Sequence, residues 1–375
     1  MKKIWIVIGI IMVLALAIAL VVTQIKKEPG VIKIGAILPL TGDLATYGVN
    51  AKDGIILLSE EINSKGGIMG KKVVVIFEDS KAQPDQAVAA IQKLITVDDV
   101  LAVIGDVASS PTLAFAPIAN KNKIVVISPA ASSPDITNAG AYVYRVWPSD
   151  VYEADRMVEY VKKQDVKTIA LFYVNNDYGR AMIQEFKKRI EGGNIVISRE
   201  ENFEQNTTDV RTQLSRIKKI NPEYIYLISY PKDSIIILRQ YKELGLQSKI
   251  LSTSSFEDPQ IIKELVDIIE GVIFTSPVPP DDTEPIVNAF KDNYVKHFGR
   301  KPGLVSDYGY DSLLVILEAL KISNEITREG IKRGIEKISN LKGVTGLINF
   351  DENGDVIKPA GIKAVKDNEY IWLDK

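Results

Sequence analysis

The chain contains no cysteine and a single histidine in 375 residues. The first absence removes disulfides, thiolate metal sites, cysteine nucleophiles and a lipid-modified N-terminal cysteine together. The second leaves His297 alone for general-base chemistry, and it offers no triad. His297 sits in the polar stretch Lys296-His297-Phe298-Gly299-Arg300, the setting of a solvated or helix-end side chain. No glycine loop of the phosphate-binding kind and no metal-ligand helix occurs. Asp79, Asp106, Asp177 and Asp307 read as caps and turn residues, so no enzyme activity, cofactor or metal site is expected. Neither charge sign is in excess: the net charge is −2, which gives no electrostatic reason to expect nucleic acid as a partner.

What is present is ordinary globular material, 46% hydrophobic and 25% charged, long enough for two folding units. It is preceded by a segment of another kind. Lys2 and Lys3 lead into an uninterrupted apolar run over residues 4–22, followed by Lys26-Lys27-Glu28-Pro29-Gly30. As a helix that run would span ~28 Å, about one hydrocarbon core. Ala15-Leu16-Ala17 and Ala17-Ile18-Ala19 have the small-residue pattern of a cleavage site, but apolar residues follow both. The expectation is an N-terminal hydrophobic helix, kept as a membrane tether or removed as a signal peptide, that exports the rest.

From Val31 onward, short β-branched runs alternate with amphipathic helical windows. Strands are expected at 31–38, 72–78, 100–104 and 124–127, with helices between them. After a break at 128–148, rich in Pro, Ser and Ala, the alternation restarts with strands at 168–174, 194–198, 224–228 and 249–251. Strands alternating with helices predict parallel sheets covered on both faces, and two such runs predict two similar Rossmann-like lobes. The remainder predicts a strand at 271–275, three helices over 284–338 and a β-rich end. It suits a chain that crosses a hinge near 145–148, 276–280 and 345–350. The expected division is residues 1–30 as signal or anchor, 31–147 as lobe 1 completed by 277–347, and 148–276 as lobe 2 completed by 348–375.

In open α/β sheets, ligands bind beyond the carboxyl ends of the strands, where loops enter helix N-termini. Each lobe carries a Tyr-Gly pair there, Tyr47-Gly48 and Tyr178-Gly179. Two tyrosines facing each other across a cleft could sandwich an apolar or planar ligand, or the pairs could be turn chemistry alone. Two further loops, Gly105-Asp106-Val107-Ala108-Ser109-Ser110-Pro111 and Ser128-Pro129-Ala130-Ala131-Ser132-Ser133-Pro134, are small, hydroxylated and Pro-punctuated. Their serines could be plain helix caps, or a cradle of N–H groups and hydroxyls suited to a carboxylate.

The order and spacing of these segments resemble the branched-chain amino-acid-binding proteins, type I periplasmic binding proteins. The likeness covers nearly all of 31–375. It is carried by Ile34-Gly35-Ala36-Ile37-Leu38-Pro39-Leu40-Thr41-Gly42 leading to Tyr47-Gly48, by Ile62-Asn63-Ser64-Lys65-Gly66-Gly67-Ile68-Met69-Gly70, and by Glu78-Asp79-Ser80. The two serine loops, Asp177-Tyr178-Gly179 and Leu238-Arg239-Gln240 before Gly245-Leu246 also match. The resemblance implies that Ser109, the backbone of Ala130 and the hydroxyl of Ser132 clamp a carboxylate. It implies too that Tyr47 lines the pocket from lobe 1, and that Tyr178 and Tyr230 close over the ligand from lobe 2.

One position departs from the pattern. Amino-acid-binding members usually carry an acid after the strand at 249–251 to pair with the ligand ammonium, and this chain has Ser254 there. Glu257 and Asp258 are expected to begin the next helix. A carboxylate lacking the amine, or a neutral amide, would suit these serines as well as an amino acid. The resemblance therefore implies an extracytoplasmic, monomeric receptor that closes on one small molecule and delivers it to an ABC permease. A ligand-sensing ectodomain acting through a partner protein is the alternative. A DNA-binding regulator of the same fold would need a helix-turn-helix where the apolar run stands.

Overall fold

The computed structural model describes residues 30–375, so the apolar run at 4–22 lies outside the described residues. Strand β1 (Ile32–Leu38) is buried at every position but Lys33, as a β-branched run must be when helices cover both faces of its sheet. It pairs in parallel with β2 (Val73–Asp79) on one side and β3 (Ala102–Gly105) on the other. The next strands, β4 (Val125–Ser128) and β5 (Val143–Arg145), extend the sheet to the order β2-β1-β3-β4-β5, all parallel. Helices α1 (Ala45–Ser64), α2 (Pro84–Thr96) and α3 (Ser109–Lys121) connect them. Ile37, Val103 and Val126 pack under Ile91 and Leu94 of α2 and Phe115 of α3 on one face. Ile34, Ala36 and Leu38 point into a larger core that is continuous with the second lobe.

The second lobe begins with α4 (Asp150–Lys163) and repeats the scheme: β6 (Thr168–Val174), α5 (Asp177–Ile190), β7 (Val196–Phe203), α6 (Arg211–Ile220), β8 (Tyr224–Ile228), α7 (Pro231–Glu243), β9 (Lys249–Ser252), α8 (Pro259–Leu265) and β10 (Ile273–Pro277). The chain then returns to the first lobe. There α9 (Pro285–Phe298) and α10 (Ser306–Ser323) pack on α1, and α11 (Arg328–Ile335) packs on α10. After a small hairpin, β11 (Leu341–Gly343) with β12 (Gly346–Ile348), it crosses back to form β13 (Ala360–Lys366) and β14 (Glu369–Asp374). The second sheet has the order β14-β13-β10-β9-β8-β6-β7.

Both sheets were expected to be parallel, and the second is not wholly so. β13 runs antiparallel to β10, and β14 antiparallel to β13, because the chain re-enters this lobe at its edge and finishes as a hairpin. Two elements escaped the sequence pattern. β5 is three residues long, too short to show a period. In α4 the helical stripe Ala154, Met157, Val158, Val161 is headed by Asp150 and Glu153, two acids that are nevertheless buried. β7 runs five residues past its expected end because, as an edge strand, it tolerates Arg199-Glu200-Glu201.

The lobes are pinned at the crossings by an ion pair. Arg145 is fully buried, and its Nε and Nη2 each donate to an Asp355 carboxylate oxygen at 2.7 Å. Its remaining donors reach the carbonyls of Ser132 and Ser133 and the Thr137 hydroxyl. One side chain therefore joins the first and third crossings to the loop after β4.

Candidate ligand-binding site

The strand ends of both lobes face a small cavity of about 50 Å³. Tyr47, Ser109, Ala130, Ser132, Tyr178, Tyr230 and Ser254 all line it. Five of the remaining lining residues, Leu44, Val107, Trp147, Leu304 and Val305, are apolar, and Ser255 completes the wall.

Each Tyr-Gly pair has a packing reason. A Cβ on Gly48 would lie 2.0 Å from the Pro39 carbonyl oxygen, and one on Gly179 would lie 2.0 Å from that of Val174. Glycine thus lets the first turn of α1 and of α5 press against the end of the preceding strand, which carries the neighbouring tyrosine to the cavity. The loop before Tyr47 is held by Asp79, whose Oδ1 accepts from the Leu40 N–H at 2.9 Å. Asp79 is therefore the turn residue that its place at the end of β2 suggested.

On the lobe 1 side, Ser109 is the first residue of α3. The N-cap is Ala108, with no side-chain capping bond. The Ser109 hydroxyl is thus not spent on its own helix; it accepts from the Ser133 N–H at 3.2 Å, tying the two serine loops together. Behind them the Ser128 hydroxyl accepts from Ala131 N at 2.8 Å and donates to Asp106 O at 2.6 Å. Val305 enters the cavity from a left-handed backbone with φ 75°, rare for a β-branched residue and characteristic of constrained functional sites.

On the lobe 2 side the rings of Tyr178 and Tyr230 stack with centroids 5.5 Å apart. The aromatic partner of Tyr178 is therefore a neighbour in its own lobe, while Tyr47 lines the same cavity from lobe 1. The Tyr178 hydroxyl is 2.6 Å from Thr253 Oγ1. Burial pushes both Tyr47 and Tyr178 well above the ordinary phenol range, so both stay neutral hydroxyls.

Ser254 has its donors turned away from the cavity: its N–H donates to Glu153 at 3.0 Å and its hydroxyl to the same carboxylate. Glu153 also accepts from the Thr275 hydroxyl. Beside it lies Asp150, 1% exposed, with Oδ2 buried and unpartnered. Burial first, and then the Glu153 charge, push the Asp150 carboxyl well up. Asp258 does cap the next helix, accepting from Gln260 N at 2.8 Å. Glu257 does not join it; it accepts from Ser276 and pairs with Lys363.

The lobes are in contact across the cleft. The Tyr47 hydroxyl donates to Ser255 O at 3.2 Å, the Asp177 N–H donates to Ser110 Oγ at 3.2 Å, and Lys232 pairs with Asp43. Elsewhere, His297 ends α9, its Nδ1 3.6 Å from Glu60. Among the described residues no cluster of His, Asp and Glu could hold a metal ion.

Residues 31–369 match the periplasmic binding protein family. The chain belongs to that family. A binding protein for leucine, isoleucine, valine, threonine and alanine from Pseudomonas aeruginosa is 27% identical over 327 residues, 87% of each chain. A leucine-binding protein of Thermotoga maritima is 31% identical, with a TM-score of 0.84 over 91% of this chain and 97% of that one. A branched-chain amino acid transporter substrate-binding protein of Streptococcus pneumoniae, solved with isoleucine, is 26% identical, with a TM-score of 0.83 over 91% and 98%. As a periplasmic binding protein, this chain is not an enzyme. It is an extracytoplasmic receptor that takes up a small solute between two hinged lobes and delivers it to an ABC importer.

Six lining residues were not revealed by the sequence alone, Leu44, Val107, Trp147, Ser255, Leu304 and Val305, and Trp147 is the largest of them. It stands at the first crossing, its ring 4.5 Å from that of Tyr308. Its signal was present in Val146-Trp147-Pro148, a large aromatic where two lobes meet.

Proposed function

We propose that the cavity between the lobes is the solute site, and that it takes one small carboxylate with a compact apolar body, an amino acid being the leading candidate. The observation that carries this is the convergence of the α3 N-terminus, with the Ser109 hydroxyl free of capping, on the same small cavity as Ala130 and Ser132. Free N–H groups and hydroxyls at a helix N-terminus favour an anion. The apolar wall of Leu44, Val107, Trp147, Leu304 and Val305 suits an apolar side chain better than a charged one. The names of the relatives, binders of leucine, isoleucine and valine, point the same way.

Residues 31–147 with 277–347 close as one body against 148–276 with 348–375. The apolar run at 4–22 carries the receptor through the membrane, where it stays as a tether unless cleaved; membrane fractionation of the expressed chain distinguishes the two fates.

The test is calorimetric titration of the full chain with L-amino acids and small carboxylates. A compact carboxylate binds, and Ser109→Ala weakens it by about 10–100-fold, the range for a hydrogen bond to a charged group. Binding unchanged by Ser109→Ala, or no binding of any compact carboxylate, contradicts the assignment.

A further inference from the structure

The two lobes differ in charge at the ends that face away from the cavity. The parallel strands of both sheets point their carboxyl ends at the cleft, so the loops leading into those strands form the far end of each lobe. In lobe 1 these loops are basic. Lys65, Lys71 and Lys72 precede β2, Lys123 precedes β4, and Lys121, the last residue of α3, adds a further ammonium. The loops into the parallel strands of lobe 2 carry the opposite sign: Asp165, Glu191, Glu223, Asp267 and Glu270 stand against Lys167 alone.

The lobe 1 lysines share one surface. The Ile32 N–H donates to Lys72 O at 2.8 Å and the Leu101 N–H to Lys33 O at 2.9 Å, which holds the starts of β2, β1 and β3 level, with β4 next in the sheet. Among the described residues no salt bridge takes up any of these lysines, whereas the acids beside them are already matched. Asp98 lies 3.5 Å from Lys93 Nζ, and Asp99 lies 3.0 Å from Arg328 Nη2. Compensation of a helix C-terminus accounts for Lys65 and Lys121 but not for Lys71 and Lys72, which stand at a strand start. Val31, Met69 and Val97 are exposed among them.

The chain enters the lobe at this same end. A Cβ on Gly30 would lie 3.8 Å from Lys71 Cε. The apolar run ends at residue 22, so the connecting residues can hold that end no more than ~29 Å from Gly30. They add Lys26 and Lys27 against Glu28. So short a tether keeps the basic end over the bilayer at high effective concentration, where weak attractions between single lysines and anionic headgroups add. The same headgroups repel the acidic end of lobe 2.

We propose that the base of lobe 1 is a membrane-facing surface, with Lys65, Lys71, Lys72, Lys121 and Lys123 resting on anionic lipid headgroups. Lobe 1 is then held on the bilayer, and lobe 2 is the body that swings when solute binds. The inference rests on the apolar run staying as a tether.

The experiment reconstitutes the full chain in vesicles of phosphatidylcholine alone, or of phosphatidylcholine and phosphatidylglycerol in equal parts. A fluorophore on Val97→Cys, where the introduced thiol is the only one in the molecule, is quenched by nitroxide-labelled headgroups when the base of lobe 1 sits on the bilayer. The ratio of docked to undocked lobe read from the quenching should rise about fivefold or more with phosphatidylglycerol, at least the effect of one lysine at an anionic surface. High salt should abolish the rise, and so should Lys71→Gln, Lys72→Gln and Lys123→Gln together, with solute affinity unchanged. A label on Gln260→Cys, in lobe 2 at the cleft mouth, should not be quenched in either lipid. Equal quenching in the two lipids, equal quenching of the two labels, or a triple variant that keeps the lipid difference overturns the docking and leaves the tether intact. A chain that floats with neither vesicle overturns the tether and the inference together.

Discussion

On the lobe 1 side the cavity wall is backbone and small side chains: the start of α3, Ala130 and Ser132, locked from behind by Arg145 and Asp355. On the lobe 2 side it is a stacked tyrosine pair and the Ser254 loop, with two buried carboxyls behind them. The two halves share a topology but divide the work. A helix N-terminus and loop N–H groups are fixed dipoles that suit an anion and need little besides correct placement. Rings supply bulk, and Glu153 fixes the Ser254 loop behind them through three hydrogen bonds. Side chains must be desolvated to do it, at a cost that these bonds offset.

The difference can be broken most severely at the lock. Arg145→Ala strands the Asp355 carboxylate and two loop carbonyls, at a cost of about 3–5 kcal/mol of folding stability. Urea unfolding measures it, and a loss below about 1 kcal/mol would mean that the pair is not the anchor of the lobe 1 face.

Lobe 1 has a buried acid of its own, and it sharpens the contrast. Asp106 Oδ1 accepts from Ala108 N at 2.9 Å, Oδ2 has no partner, and burial raises its pKa to about 7. In the unfolded chain it titrates near 4. Between those values the folded state keeps a proton that the unfolded state has released, so stability falls as pH rises from about 4 to about 7. Asp106→Asn removes that part of the fall, on the order of 4 kcal/mol, in a comparison of unfolding curves across the window.

A smaller change is expected at the tyrosine stack. Tyr178→Phe keeps the ring on Tyr230 but leaves Thr253 without its 2.6 Å partner, which costs about 1 kcal/mol of stability by thermal or urea unfolding. The least effect belongs to the rim. Lys232 and Asp43 meet across the cleft, with side chains 58% and 22% exposed. Asp43→Asn should weaken solute binding by no more than about twofold, and the difference should vanish in high salt.

The same division governs what could be read in advance. Lobe 1 was legible because its devices are local: Ser109 and Ser132 announce themselves by the small, Pro-punctuated loops around them. Tyr47-Gly48 and Tyr178-Gly179 were legible for a similar reason, a glycine required where helix presses on strand. Lobe 2 was less so. Asp150 and Glu153 look like solvated first-turn acids, and only the arrival of Ser132, Ser254 and Thr275 from distant parts of the chain buries them. The antiparallel finish of the second sheet was hidden likewise, since β13 and β14 read as strands without naming their neighbours.

The absence of cysteine makes one measurement especially clean. Thr46 and Gln260 are exposed and face each other across the mouth of the cleft, one from each lobe. Spin labels on Thr46→Cys and Gln260→Cys would be the only two in the molecule. Pulsed electron spin resonance then reads the distance between the lobes directly. Saturating L-leucine should convert a long or broad distribution into one short, narrow distance. An unchanged distribution, with calorimetry showing the same labelled protein saturated, would contradict capture by closure of the two lobes.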